Sequence, residues 1–242
     1  MTGKRWRLSF WPVFALALTL PALVGLGLWQ LERGAQKAEL HARFDSGQHR
    51  SAFDAAGLSL QEFNAIERYR NVDVPGRYLG EHQVLLDHMP REGVPGHHVL
   101  VPFQPDGANY LIMVDRGWRP GIATDANDEL PIASQPLRIT GLLAEFPRPA
   151  LLLEGADVPA GWPKPMQFPQ PAQFAAVLEA DVAEHRLLLA ANEPDGFVRD
   201  WSAPGMPPAR HYAYAFQWFA LALALSVIAV ALAWPRERGD DP

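Results

Sequence analysis

Cysteine is absent from the 242 residues, which excludes a disulfide framework, a thiolate metal site and a cysteine nucleophile. Concentrated positive charge is lacking too. The net charge is −6 and the basic residues are scattered, so there is no electrostatic footprint for nucleic acid. No Gly-x-Ser-x-Gly elbow, phosphate-binding Gly-Lys-Ser/Thr loop or dinucleotide fingerprint occurs, and no nucleophile or acid–base pair stands out. The sequence therefore reads as that of a non-enzyme. A membrane-tethered enzyme would need a catalytic set that the sequence does not offer. Charged side chains are missing altogether from residues 8–31 and 211–235, and these two stretches organise the chain.

Lys4, Arg5 and Arg7 precede the first uncharged run, with Trp6 and Trp11 at one end and Trp29 at the other. The run is longer than the apolar core of a typical signal peptide and no small-x-small cleavage site follows it, so it reads as an uncleaved anchor. Pro12 and Pro21 allow a kink. The second run follows Arg210 and ends near Trp234. At about 1.5 Å of rise per residue either run crosses a hydrocarbon core roughly 30 Å thick. Two such helices place both termini on one side of a lipid membrane. Arginine and lysine near the spans favour cytoplasmic termini by a small margin.

Between the spans the 23 prolines of the chain are concentrated, which points to a β-rich domain with ordered loops. Ser59-Leu60-Gln61-Glu62 is a capping box opening a short helix through about Arg68. Short β-type runs follow at 69–74, 83–87, 98–103, 110–115 and 137–144, separated by Gly, Pro and Asp turns. A second helix starts at Pro171 with Phe174, Val177, Leu178 and Val182 on one face, and 186–191 reads as a last strand before a loop over 193–208. The expected fold class is an α+β membrane protein, two transmembrane helices flanking a β-rich antiparallel sheet or small barrel with short helices. Its divisions are a cytoplasmic tail 1–9, a first span 10–31, a β-rich domain 32–209, a second span 211–234 and a tail 235–242.

Two stretches carry candidate site residues. His211, Tyr214, Ala215 and Trp218 stand at helical spacings of three, four and seven, on one face at the mouth of the second span. An imidazole beside a small residue and flat rings suits an axial haem ligand. Aromatic residues and a histidine at a membrane interface also occur with no ligand at all, and the residues alone leave both readings open. On the first helix Trp29 and Arg33 are four apart, and Gln30, Arg33 and Lys37 share a face. This cationic ridge suits carboxylates, haem propionates among them, or lipid phosphates; equally, such residues snorkel to headgroups.

His82, His88, His97 and His98 cluster in sequence, but adjacent histidines on a strand point to opposite faces and no metalloprotease spacing is present; they read as loop and surface residues. Val114-Asp115-Arg116-Gly117-Trp118-Arg119-Pro120 fits a strand with a sharp bend at Gly117 and an indole covering the sheet edge. Arg116 is a lesser candidate for binding a carboxylate or a partner surface.

These pieces, in order, resemble the Surfeit locus protein 1 family of cytochrome c oxidase assembly proteins, in its bacterial form. The resemblance rests on residues 27–37, Tyr69-Arg70-Asn71-Val72 with Gly76-Arg77-Tyr78, residues 96–102 and 114–120, Gly141-Leu142-Leu143, Trp162 with Met166-Gln167, and residues 211–219. It implies a multi-pass protein of the bacterial cytoplasmic (inner) membrane with its central domain in the periplasm. It implies a chaperone role in respiratory chain biogenesis: binding haem a transiently, and delivering or stabilising it for oxidase subunit I, in concert with the haem a synthesis enzymes. A histidine at the outer edge of the second span is implicated in haem ligation in bacterial members, and His211 matches that position. Tyr214, Trp218, Trp29, Arg33 and Lys37 are pocket candidates by geometry alone. Ala209-Arg210 stands where relatives often carry an amide before the histidine. The competing reading is a membrane-anchored scaffold that holds subunit I or the haem synthase without ligating haem.

Overall fold

The computed structural model describes residues 10–123, 132, 134–147 and 161–234. Within them, residues 10–42 and 203–234 form one compact unit and Arg43–Ser202 another. The terminal tails 1–9 and 235–242 lie outside the described residues.

The helical unit is built from α1 (Phe10–His49) and α4 (Pro208–Ala233). Pro12 falls in the first turn of α1, where its missing N–H has no intrahelical partner to lose. Pro21 is tolerated inside the helix, and Pro208 occupies the first turn of α4, the position proline favours. Both helices are long and apolar enough to cross a membrane, and only 6% and 11% of their most apolar windows are buried within the protein, so they are not core helices of a soluble fold. Beyond Leu31 the residues Glu32, Gln36, Lys37, Ala38 and Leu40 favour helix, and α1 continues well past the apolar run. Its last turns belong to the β-rich unit, where the Phe44 ring meets Tyr69 edge-on at 5.2 Å.

α1 and α4 run antiparallel. Gly27 packs against Phe219 and Gly34 against Tyr212; a Cβ on either glycine would lie 2.6 Å or 2.5 Å from the facing ring. With no side chain at these two positions the large rings of α4 seat directly on the backbone of α1, the usual solution where lipid supplies no hydrophobic drive for association.

In the β-rich unit the strands are β1 (Phe53–Asp54), β2 (Asn71–Tyr78), β3 (Val84–Leu86), β4 (Gly96–Pro105), β5 (Tyr110–Pro120), β6 (Leu137–Ala144), β7 (Lys164–Met166), β8 (Asp181–Val182) and β9 (Arg186–Leu189). The order β2-β6-β9-β5-β4, with β4 pairing back to β2, closes a five-stranded barrel. Alternation along β2 sends Val72, Val74 and Tyr78 inward to meet Phe103, Ile112, Val114, Ile139 and Leu187 in the barrel core. A second cluster outside it joins Leu86, Leu100, Met113 and Met166 to Phe174 of α3 (Pro171–Leu178).

The sheet is not wholly antiparallel. β5 pairs with β9, β3 with β7, β1 with β2 and β5 with β8 in parallel; the first of these pairs is joined by a long crossover that carries α3. The capping box forms as expected: the Ser59 side chain accepts from the Glu62 backbone N–H and the Glu62 side chain accepts from the Ser59 N–H. The helix it opens, α2 (Leu60–Asn64), stops short of Arg68. Val182 lies in β8 rather than on α3, because Glu179 takes a left-handed conformation and ends the helix.

Candidate cofactor site and a buried polar network

His211 sits in the first turn of α4, one residue before the tyrosine that packs on Gly34. Its Nδ1 lies 2.8 Å from Oε1 of Gln30 on α1. With the amide oxygen as acceptor, Nδ1 carries the proton and Nε2 carries the lone pair. Nε2 is buried and has no hydrogen-bond partner among the described residues, and neither has Nε1 of Trp218. Ala215 and Ala222, one and three turns along from His211, are buried as well. The face of α4 toward α1 thus carries His211, Ala215, Trp218 and Ala222, flanked by the Tyr212 and Phe219 rings that pack on Gly34 and Gly27.

Of the other sequence candidates, Tyr214 is 45% exposed and falls outside that inner face, and Trp29 is 48% exposed. Arg33 lies 5.8 Å over the Trp29 ring and donates to Gln36. Lys37 approaches Gly205, whose added Cβ would lie 2.9 Å from Nζ. The structure thus brings His211 and Trp218 to one face and leaves Tyr214, Trp29 and Arg33 at the surface. Gln30 is the partner that sequence reasoning placed on the right ridge of α1 without assigning it a role; its signal was the shared face with Arg33 and Lys37.

A second polar centre lies in the β-rich unit. Asp115 of β5 is fully buried and accepts from three donors: His98 Nδ1 at 3.0 Å, Arg186 Nη1 at 2.6 Å and the Gly117 backbone N–H at 3.0 Å. Burial works against its ionised form, but His98, Arg186 and the Gly117 N–H outweigh it and hold the carboxyl below its ordinary value. Trp201 lies against the His98 ring, centroids 5.7 Å apart and tilted 31°.

The neighbouring His97 is 2% exposed and turns the other way, its Nδ1 3.2 Å from the Gly121 carbonyl; burial holds it below the ordinary histidine value. His97 is therefore a buried strand residue rather than the loop or surface residue expected, while His98, expected to open a strand, lies in the same β4, and the two rings diverge as a strand requires. Among the described residues no group of three His, Cys, Asp or Glu side chains could hold a metal ion.

Gly117 has φ +113°, the bend expected of the Arg-Gly-Trp motif, and Trp118 covers Gly96 and donates from Nε1 to the Met89 carbonyl at 2.6 Å. Arg116 is no surface residue. It is 3% exposed, donates from Nε to the Asp195 carbonyl at 2.7 Å and lies 4.8 Å over the Phe197 ring.

Comparison with known proteins bears on the chain as a whole. The model of the SURF1 family matches residues 17–223, from inside the first apolar helix to inside the second. Proteins named as uncharacterized SURF1-like proteins of Mycobacterium tuberculosis and Mycobacterium bovis are 26% identical over 224 residues, covering 88% of this chain and 79% of theirs. The match takes in both apolar helices' packed portions and the whole barrel, and the chain belongs to the SURF1 family.

Proposed function

We propose that the protein assists assembly of haem-copper cytochrome c oxidase by holding haem a transiently at His211 and releasing it toward subunit I, in concert with the haem a synthesis enzymes. The observation that carries this reading is the His211–Gln30 hydrogen bond. An amide oxygen that accepts from Nδ1–H fixes the tautomer and orientation of the ring and leaves the Nε2 lone pair for a metal, as partners of metal-bound histidines do. Trp218 adds an indole N–H without a partner on the same face of α4. Arg33, at the surface of α1, supplies positive charge for propionates. Haem, when bound, supplies an iron that accepts a neutral imidazole; the chain's own contribution is to orient that imidazole and present it in an apolar environment. A single imidazole suits a carrier, because transfer requires a hold weaker than that of the final site. On this reading the apolar helices span the bacterial cytoplasmic membrane and the barrel lies in the periplasm.

One observation favours the scaffold alternative. Nε2 of His211 is covered by its surroundings, so iron reaches it only if the side chains around it move. A scaffold for subunit I or the haem synthase has no such requirement.

The test is the visible spectrum of the full-length protein, purified in mild detergent after co-expression with haem a synthesis enzymes, beside His211→Ala. A haem a band present in the wild type and lost in the variant is the expected result. Absence of the band from both proteins, with free haem a present in the cells, favours the scaffold.

A further inference from the structure

Gly27, Gln30, Gly34, Lys37 and His41 follow one another along α1 at alternating steps of three and four, which puts them on one face. The first three meet α4, through the rings seated on the two glycines and the bond between Gln30 and His211. Lys37 and His41 continue the same face. Lys37 is half-buried, and its Nζ comes so near the chain at Gly205 that a Cβ there would lie 2.9 Å from it. Gly205 has φ +92°, so a residue without a side chain both makes the turn and leaves room for the ammonium.

The fold satisfies neither side chain. No carboxylate pairs with Lys37 among the described residues, and Glu32 of the same helix accepts from Gln36 instead. His41 is half-buried, with Nε2 covered and without a partner among the described residues. A lysine that only reaches for headgroups lies along the outer surface of its helix; this one is turned to the face that meets α4 and the chain before it. An ammonium and an imidazole nitrogen one helical turn apart, both lacking a partner, suit a ligand that brings anionic oxygens. A ring with its proton on Nε2 donates to such an oxygen whether it is neutral or charged.

The order of groups along this face sets which edge of a ligand lies where. On one side of the His211–Gln30 contact both helices are uncharged, over residues 8–31 and 211–235, and a carboxylate placed there would enter hydrocarbon unpaired. On the other side stand Lys37 and His41, about 10 Å and about 16 Å further along α1 at 1.5 Å of rise per residue. A ligand with an apolar body and a carboxylate edge therefore fits in one sense only. Arg33 lies off this face, exposed, over the Trp29 ring, and its charge acts from the outer surface.

We infer that Lys37 and His41 are the carboxylate anchor of the His211 site and bind the propionates of the haem held there. The anchor rests on the reading of His211 as a haem ligand and adds the sense in which the haem is held.

The test titrates the full-length protein, purified in mild detergent from cells that make no haem a, with haem a and with its dimethyl ester, following the Soret band. The wild type is expected to bind the free acid about tenfold more tightly than the ester. Lys37→Gln weakens binding of the free acid about tenfold and of the ester by less than about twofold. His41→Leu weakens the free acid about threefold. In both variants the band keeps the wild-type position, because His211 still holds the iron. Arg33→Gln loses less than Lys37→Gln. The comparison of acid with ester on the wild type needs no substitution, so it stands even if a variant folds poorly. Equal binding of acid and ester by the wild type overturns the anchor. Equal losses of acid and ester in Lys37→Gln overturn it too and assign the lysine to lipid phosphate or to the fold, and a larger loss in Arg33→Gln moves the carboxylates to the outer surface of α1. A wild type that binds neither form, or that binds haem a no better than His211→Ala does, overturns the carrier reading itself and the anchor with it.

Discussion

His98 on β4 and Asp115 on β5 meet because β5 carries one residue more than its partner strand at this point. The pairing runs His98 to Trp118 and then Leu100 to Asp115, so Arg116 and Gly117 stand opposite the single residue Val99. The bulge turns β5 locally, brings the carboxylate to the imidazole at 3.0 Å and lets the Gly117 N–H return to the same carboxylate. A bend written in the sequence as Arg-Gly-Trp therefore creates a buried charge centre as well as a change of strand direction.

Asp115→Asn leaves Arg186 buried without its ion pair, and removing one partner of a buried pair typically costs about 3–5 kcal/mol. The sign of the pH effect follows from the direction of the shift. A carboxyl held below its ordinary value in the fold contributes stability that is complete above the unfolded value, near pH 4, and is lost as the pH falls through the folded value. Thermal unfolding followed from pH 7 down to pH 2 is expected to show a steep acid limb in the wild type and a shallower one in Asp115→Asn. Parallel curves would mean that the centre is not ionised in the fold.

Gly117→Ala meets two obstacles at once. Its φ of +113° disfavours any side chain, and the added Cβ would lie 2.6 Å from the Val198 carbonyl oxygen. The expected loss is about 2 kcal/mol or more. Gly107→Ala, at φ +73° but with open space around its Cβ, carries only the conformational part of that cost. Denaturant midpoints of the two variants separate strain from collision.

Gly34→Leu places a side chain where the Tyr212 ring packs, whereas Gly25 has nothing within 4 Å of its Cβ position. Gly34→Leu is expected to separate α1 from α4 and lower the midpoint of thermal unfolding in detergent, by an amount corresponding to about 1–3 kcal/mol. Gly25→Leu is expected to leave it unchanged. Equal effects would show that the two helices do not rely on this approach.

Gln30→Leu keeps the bulk of the side chain and removes the acceptor for His211 Nδ1. If haem a is carried at His211, retention through purification is expected to fall about tenfold or more, read from the haem band per protein, while Gln30→Asn, which keeps an acceptor, shows a smaller loss. Under the scaffold reading both variants support oxidase maturation as the wild type does.

The ordering of these elements was legible because it rests on local chemistry. Two uncharged runs announce two helices through composition alone, and the Ser59–Glu62 box closes within four residues. The run over 137–144 appears as β6 with the expected bounds because Ser134, Gln135 and Pro136 precede it and Glu145 and Pro147 follow it. The His97–His98 pair diverges as strand geometry requires, yet whether those rings are buried depends on what lies across the sheet. That is why His97 was misplaced at the surface. Arg116, a lesser candidate for binding, is held within the fold by a partner that no local pattern announces, the Asp195 carbonyl 79 residues away.

Two apolar helices around a β-rich middle, the place where that middle bends and the histidine at the start of the second helix all follow from the order of neighbouring residues. The closure of the sheet as a five-stranded barrel through parallel pairing of β5 with β9, the meeting of Gln30 rather than Arg33 or Lys37 with His211, and the gathering of His98 and Arg186 at Asp115 emerge from the folded chain alone. Each of these joins residues far apart in the chain, across 181 positions for His211 and Gln30, and such contacts are selected by the packing of whole elements rather than by local sequence pattern.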